Sequence, residues 1–221
     1  MIKIGVIGAG GNTISAHIPK LIEQKDVEVI AVANRSIASG AKVAKKNGLT
    51  IIKPYDALET IFGQGTVALE AIKQTPNVFD VALICAGGGG LTAGCSIIFK
   101  HDNPNIQIFT TEPQEWNDQE QSYASGTIQA TSANGSGLCD GLLTSEPGKI
   151  PFNINLALGI RGLSCEEQYI FEAMHLANEV FAYELEPSGA IALASLIKHK
   201  NVSFMFNFSF FTLFLVSKCN K

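Results

Sequence analysis

The chain has 221 residues, of which 46 % are apolar and 16 % charged, with a net charge of −4. This balance excludes a disordered polyelectrolyte, and without a lysine or arginine block it excludes a nucleic-acid surface. The length suffices for one large domain or two small ones with a substantial core.

Taken in chain order, Ile2 to Ile7 alternates and is rich in β-branched residues, so it predicts a strand. A glycine turn, GVIGAGGNT, follows at Gly5 to Thr13, and Thr13 to Gln24 carries Ile14, Ile18, Leu21 and Ile22 at helical spacing. Val27 to Ala33 reads as a second strand, then come Asn34, Arg35 and Ser36 and a helix through Lys46. The order β-α-β-α predicts a parallel sheet.

Gly65 to Gln74 reads as helix and Val78 to Cys85 as a buried strand. The stretch ICAGGGGLTAGC then sets four glycines before a helix running to about Lys100. Ile106 to Thr110 predicts another strand, and from Pro113 to about Phe152 the Ser, Gly, Asn and Gln content predicts loops with short helices. Ser164 followed by Glu167 has the spacing of a capping box for a helix over Glu166 to Val180, and Pro187 to Lys198 reads as one more helix.

The five cysteines, Cys85, Cys95, Cys139, Cys165 and Cys219, show no CxxC spacing, and the N-terminal run reads as a strand rather than a signal peptide. Free thiols in a reducing, cytoplasmic setting are the expectation. Residues 201–217 form a tail with no charged residue in which Phe204, Phe206, Phe208 and Phe210 alternate. Its 17 residues stand at the short end of a membrane span, but alternation is a strand signature, so a buried or aggregation-prone strand is expected in place of an anchor.

Both glycine turns sit between a strand and a helix, where backbone N–H groups and the helix dipole favour an anion. At the first, Gly8 and Gly10 fit G-x-G, and the corner Asn34-Arg35-Ser36 offers a cation and a hydroxyl suited to a 2′-phosphate, which favours NADP over NAD. On MIKIGVIGAGGNTISAHIPKL, VEVIAVANRS and YDALE, residues 1–58 resemble the N-terminus of the glucose-fructose oxidoreductase and inositol dehydrogenase family. That resemblance implies NADP held by Gly8, Gly10, Asn34, Arg35 and Ser36, although the family's E-K-P segment is absent here.

At the second turn, GQGTVALEAIKQ, FDVALICAGGGGLTAG, NIQIFTTEP, LCDGL and LEPSGAIALASL resemble the C-terminal half of the threonine dehydratase and serine racemase family. These are pyridoxal-phosphate enzymes of fold type II. The resemblance covers residues 61–202 and implies that the N–H groups of Gly87, Gly88, Gly89, Gly90 and Leu91 hold the cofactor's phosphate. It also implies Mg²⁺ or Ca²⁺ on Glu112, the carbonyl of Trp116 and Asp118, as hard oxygen ligands. The family's cofactor-bonding lysine lies in its N-terminal half, and no lysine here stands in an S-x-K context. The implied domain keeps the phosphate loop without that lysine and is inactive as it stands.

The fold expected from both resemblances is a three-layer α/β parallel sheet, with a Rossmann-like βαβα unit over 1–58 joined to a tryptophan-synthase-β-like half domain over 61–202 and an aberrant hydrophobic tail over 203–221. An NADP-binding oxidoreductase fragment and a non-functional fusion or gene-model artefact are the alternatives. The expected partners are small-molecule ligands, with homo-oligomerisation or association with a full-length subunit, and neither nucleic acid nor membrane.

Overall fold

A computed structural model describes residues 1–8, 13–34, 37–76, 78–133, 135–199 and 210–212. The chain divides into two compact units, Met1–Thr60 and Ile61–Lys221.

In the first unit, strands β1 (Ile2–Ile7), β2 (Val27–Ala33) and β3 (Thr50–Ile52) pair in the order β1-β2-β3, all parallel. Helices α1 (Ile18–Ile22) and α2 (Ile37–Asn47) form the connections, with a π-helical turn over Thr13–His17 leading into α1. Ile18, Val32, Val43 and Ala44 make its core. The short β3 escapes the sequence reading because three residues carry too little periodicity to register.

The second unit is built on α3 (Leu58–Gln74), β4 (Val81–Cys85), α4 (Gly90–Asp102) and β5 (Gln107–Pro113). After these come α5 (Asp118–Ser125), α6 (Lys149–Ala157), β6 (Arg161–Cys165), α7 (Glu167–Phe181), α8 (Pro187–His199) and β7 (Phe210–Thr212). The strands pair in the order β6-β5-β4-β7, again all parallel. Every residue of β4 is buried, the continuous apolar run expected of a parallel strand covered on both faces. Alternation sorts that run into two layers: Ala82 and Ile84 pack with Ala68, Cys95 and Phe99 of α3 and α4. Val81, Leu83 and Cys85 face the other way, toward Ala192 and the cluster of α7 and α8.

One expectation needs correction. Ser164 is not a helix cap: register pairing of Glu112 with Ser164 draws residues 161–165 into β6, and α7 starts at Glu167 with no side-chain cap. The short helices expected among the loops of 113–152 are α5 and, running past that stretch, α6. Of the tail, β7 pairs with β4 through Val81–Phe210 to Leu83–Thr212, and residues 200–209 and 213–221 lie outside the described residues. Among the described residues no helix is long and apolar enough to cross a membrane.

Candidate functional site

The sheet order reverses at β4: the chain moves to β5 and β6 on one side and returns with β7 on the other. In an open parallel sheet the crevice beyond the carboxyl ends of the strands at such a switch point receives ligands. The tetraglycine turn occupies that position, between Cys85 at the end of β4 and Gly90 at the start of α4.

Gly89 caps α4 at φ +87°, a conformation that favours glycine, and no side chain satisfies the first-turn N–H groups of the helix. A Cβ on Gly89 would stand 3.1 Å from Gln119 Nε2 and 3.3 Å from Pro151 Cβ, so the turn is packed from behind. Its carbonyls are all engaged. Gln119 Nε2 donates to Gly87 O at 2.6 Å, the Gly148 N–H donates to Gly88 O at 3.0 Å, and Asn155 Nδ2 donates to Gly89 O at 3.4 Å. The amide of Asn155 also donates to Tyr123 Oη at 3.0 Å, and Tyr123 donates to Gln119 Oε1 at 2.6 Å.

Two buried hydroxyls beside the turn have no hydrogen-bond partner among the described residues. Thr92 Oγ1 lies in the first turn of α4, and Thr144 Oγ1 would be 3.6 Å from a Cβ at Gly87. Orphaned buried hydroxyls next to unsatisfied helix N–H groups are what a phosphate group would satisfy. Leu91 sends its side chain into the core clusters on both sides of the sheet and leaves only its backbone at the turn.

The acidic segment after β5 is organised differently. Glu112 is fully buried, and its two carboxylate oxygens accept the N–H groups of Gln119 and Glu120, each at 2.9 Å. Burial, then the neighbouring Asp118, pushes its pKa well above the ordinary carboxylate value. Asp118 is fully buried, with neither oxygen hydrogen-bonded, and burial followed by repulsion from Glu146 raises its pKa to about 7. Trp116, in a 3₁₀ turn, is buried beside them in sequence. Among the described residues no group of three or more His, Cys, Asp or Glu side chains forms a metal site.

A separate apolar cavity of about 130 Å³ lies off the ends of β5 and β6, lined by Pro113, Trp116, Cys139, Leu143, Cys165 and Ile170 among others. It includes none of the glycine turn. Cys85, Cys95, Cys139 and Cys165 are all buried free thiols, and burial pushes the first three up to about 12 and Cys165 to about 11.

In the first unit Gly8 adopts φ +84° and donates its N–H to Ala33 O at 3.0 Å. Asn34 follows β2, with its Cβ 3.4 Å from where a Cβ on Gly40 would stand. Gly10, Arg35 and Ser36 lie outside the described residues.

Comparison with known proteins supports one of the two resemblances. The family model described as pyridoxal-phosphate dependent enzyme matches residues 12–203. The chain belongs to this pyridoxal-phosphate-dependent enzyme family. The match crosses the join near residue 60 and takes in residues 12–58 of the segment that resembles an oxidoreductase N-terminus, beginning after its Gly8 and Gly10. Nothing in the comparisons supports that oxidoreductase resemblance, NADP or a chimeric origin, and a G-x-G turn between strand and helix is by itself too generic to identify a lineage.

Among the relatives, serine racemase of Dictyostelium discoideum is 36 % identical over 160 residues, 72 % of this chain and 49 % of that protein. Serine racemase of Arabidopsis thaliana is 33 % identical over 172 residues, 78 % of this chain and 50 % of its own length. The catabolic L-threonine dehydratase of Escherichia coli K12 is 30 % identical over 167 residues, 76 % of this chain and 50 % of that enzyme. The chain thus spans about half the length of these curated relatives. Among solved structures, maize serine racemase superposes with a TM-score of 0.74 at 24 % identity, over 94 % of this chain and 70 % of that one. The Dictyostelium discoideum serine racemase structure gives 0.71 at 27 % identity, over 96 % and 67 %. The fold is therefore the parallel α/β fold of the threonine dehydratase and serine racemase type.

Proposed function

We propose that this chain anchors pyridoxal phosphate through its phosphate, as part of a domain of the threonine dehydratase and serine racemase type that handles a small hydroxylated α-amino acid. The observation that carries this reading is the tetraglycine turn at the switch point of the sheet, with uncapped α4 N–H groups and the orphaned hydroxyls of Thr92 and Thr144 around it. The N–H groups of Gly87 to Leu91 would hold the phosphate, and the α4 dipole would stabilise its charge. When bound, the cofactor supplies an electron sink for the α-carbon of an amino acid.

Family chemistry also needs a lysine amine to bond the cofactor and move the α-proton. No lysine here stands in an S-x-K context. The chain by itself is therefore proposed to hold the cofactor without converting serine or threonine into a keto acid. Isothermal titration of the 221-residue chain with pyridoxal phosphate and with pyridoxal tests the first point, and a keto-acid assay the second. Expected are binding that favours the phosphorylated form, competition by inorganic phosphate, and no keto acid. Equal binding of the two forms, or none, would overturn the phosphate reading; keto acid formed by the chain alone would overturn the inactive one.

A second reading rests on Asp118, whose carboxylate is buried with both oxygens unpartnered. With Glu112 and the Trp116 carbonyl it would offer hard oxygen ligands to Mg²⁺ or Ca²⁺. Either cation should raise the melting temperature of the wild-type chain and leave Asp118→Asn unmoved; an equal rise in both would remove this site.

A further inference from the structure

The side chains of Gln119, Tyr123 and Asn155 form one directed relay whose two ends rest on carbonyls of the glycine turn. Asn155 Nδ2 donates both to Gly89 O at 3.4 Å and to Tyr123 Oη at 3.0 Å, Tyr123 donates to Gln119 Oε1 at 2.6 Å, and Gln119 Nε2 donates to Gly87 O at 2.6 Å. The direction is fixed at both ends, because turning either amide over would set an amide oxygen against a carbonyl oxygen. In the middle, burial raises the Tyr123 phenol above its ordinary pKa, which keeps the hydroxyl hydrogen available for donation. Gln119 and Asn155 are fully buried, and the Tyr123 ring stacks on Phe152 at 5.9 Å with 1° between planes, so none of the three can swing away cheaply.

A trans peptide sets its C=O and N–H in opposite directions, and the chain contains no cis peptide among its described residues. Holding Gly87 O therefore turns the Gly88 N–H away from Gln119, and holding Gly89 O turns the Gly90 N–H away from Asn155. The intervening plane is held by the backbone alone, through the Gly148 N–H on Gly88 O. Four successive glycines would otherwise cost more conformational entropy to order around a ligand than any other sequence, roughly 1–2 kcal/mol per residue.

We infer that Gln119, Tyr123 and Asn155 are positioning residues for the phosphate, which lock the Gly87 and Gly89 carbonyls outward so that the Gly88 and Gly90 N–H groups are presented to the anion before it arrives. The inference rests on the proposed phosphate site and goes further, because it assigns the chain's preference for the phosphorylated cofactor to side chains that never touch it. Organising the donors in advance raises affinity by removing the ordering cost, and only the phosphorylated form uses them.

The test compares pyridoxal phosphate with pyridoxal on the full chain by isothermal titration, for wild type, Tyr123→Phe and Gln119→Met. Tyr123→Phe removes a single oxygen, and Gln119→Met keeps the side-chain length while breaking the bond to Gly87 O and the bond from Tyr123. Expected is a loss of pyridoxal phosphate affinity of about 5-fold to 10-fold in each variant, with pyridoxal affinity changed less than about 2-fold, so that the preference ratio falls. A merely structural role would lower both affinities together, and that result would overturn the inference. Should Gln119→Met fail to fold, Tyr123→Phe carries the same comparison. Wild type that binds no pyridoxal phosphate would remove the proposed function and this extension with it. Wild type that prefers the phosphorylated form, with both variants unchanged in preference, would overturn the positioning role alone.

Discussion

A Cβ placed on Gly94 of α4 would stand 2.6 Å from the backbone nitrogen of Gly65 on α3, and closer still to the carbonyl oxygen of Ile61. The two helices thus meet backbone to backbone, one turn past the start of α4. Neither helix can yield locally, because the atoms that block the methyl group are main chain on both sides. Gly94→Ala is expected to cost about 1–3 kcal/mol, read as a lower urea midpoint with an unchanged slope.

Gly89 carries a different burden. At φ +87° with Gln119 and Pro151 behind it, an alanine would be strained and crowded at once. Gly89→Ala should lower pyridoxal phosphate affinity at least tenfold in titration, about 1.4 kcal/mol, with a loss of melting temperature smaller than that of Gly94→Ala. Unchanged affinity would show that the turn does not contact the ligand.

The four buried thiols predict an alkaline weakness. Folding raises Cys85, Cys95 and Cys139 from 9.0 to about 12. A group whose folded pKa is raised keeps its contribution below the unfolded value and loses it as pH rises toward the folded one. The urea midpoint should therefore hold near pH 8 and fall between pH 9 and pH 11, and Cys85→Ala should fall less steeply. Native alkylation of these four cysteines should stay slow at pH 8 and become complete in denaturant.

Arg161 stands over the Phe109 ring at 4.5 Å while its guanidinium donates to Gln107 at 2.7 Å, tying β6 to β5. Removing the ring in Phe109→Ala also empties a fully buried site, so a loss of about 3–5 kcal/mol is expected, whereas Arg161→Ala should cost about 1 kcal/mol. Equal losses in urea unfolding would contradict this division.

The second unit's site was legible in the sequence to the extent that it is local. Four adjacent glycines between an apolar strand and an apolar helix predict a tight turn suited to an anion without reference to anything distant, and residues 61–202 carry ordered motifs on either side of it. The same local logic carries less at Gly8 and Gly10, since a strand, a G-x-G and a helix also satisfy folds that bind no dinucleotide. The relay behind the turn was not legible. Gln119 and Tyr123 lie one helical turn apart in α5, in a stretch whose composition reads as loops with short helices, but Gly87 stands 32 residues before Gln119 and Asn155 stands 32 residues after Tyr123.

By itself the sequence determined the parallel α/β class, the buried β4 and the place of the glycine turn, because hydrophobic periodicity and the absence of Cβ atoms act over a few residues. Only the tertiary structure decided that β4 is the switch point, that Ser164 belongs to a strand rather than a cap, and that Gln119, Tyr123 and Asn155 converge on the two glycine carbonyls. Those are outcomes of strand pairing and helix packing between segments far apart in the chain, where a hydrogen bond depends on a register that no local pattern encodes.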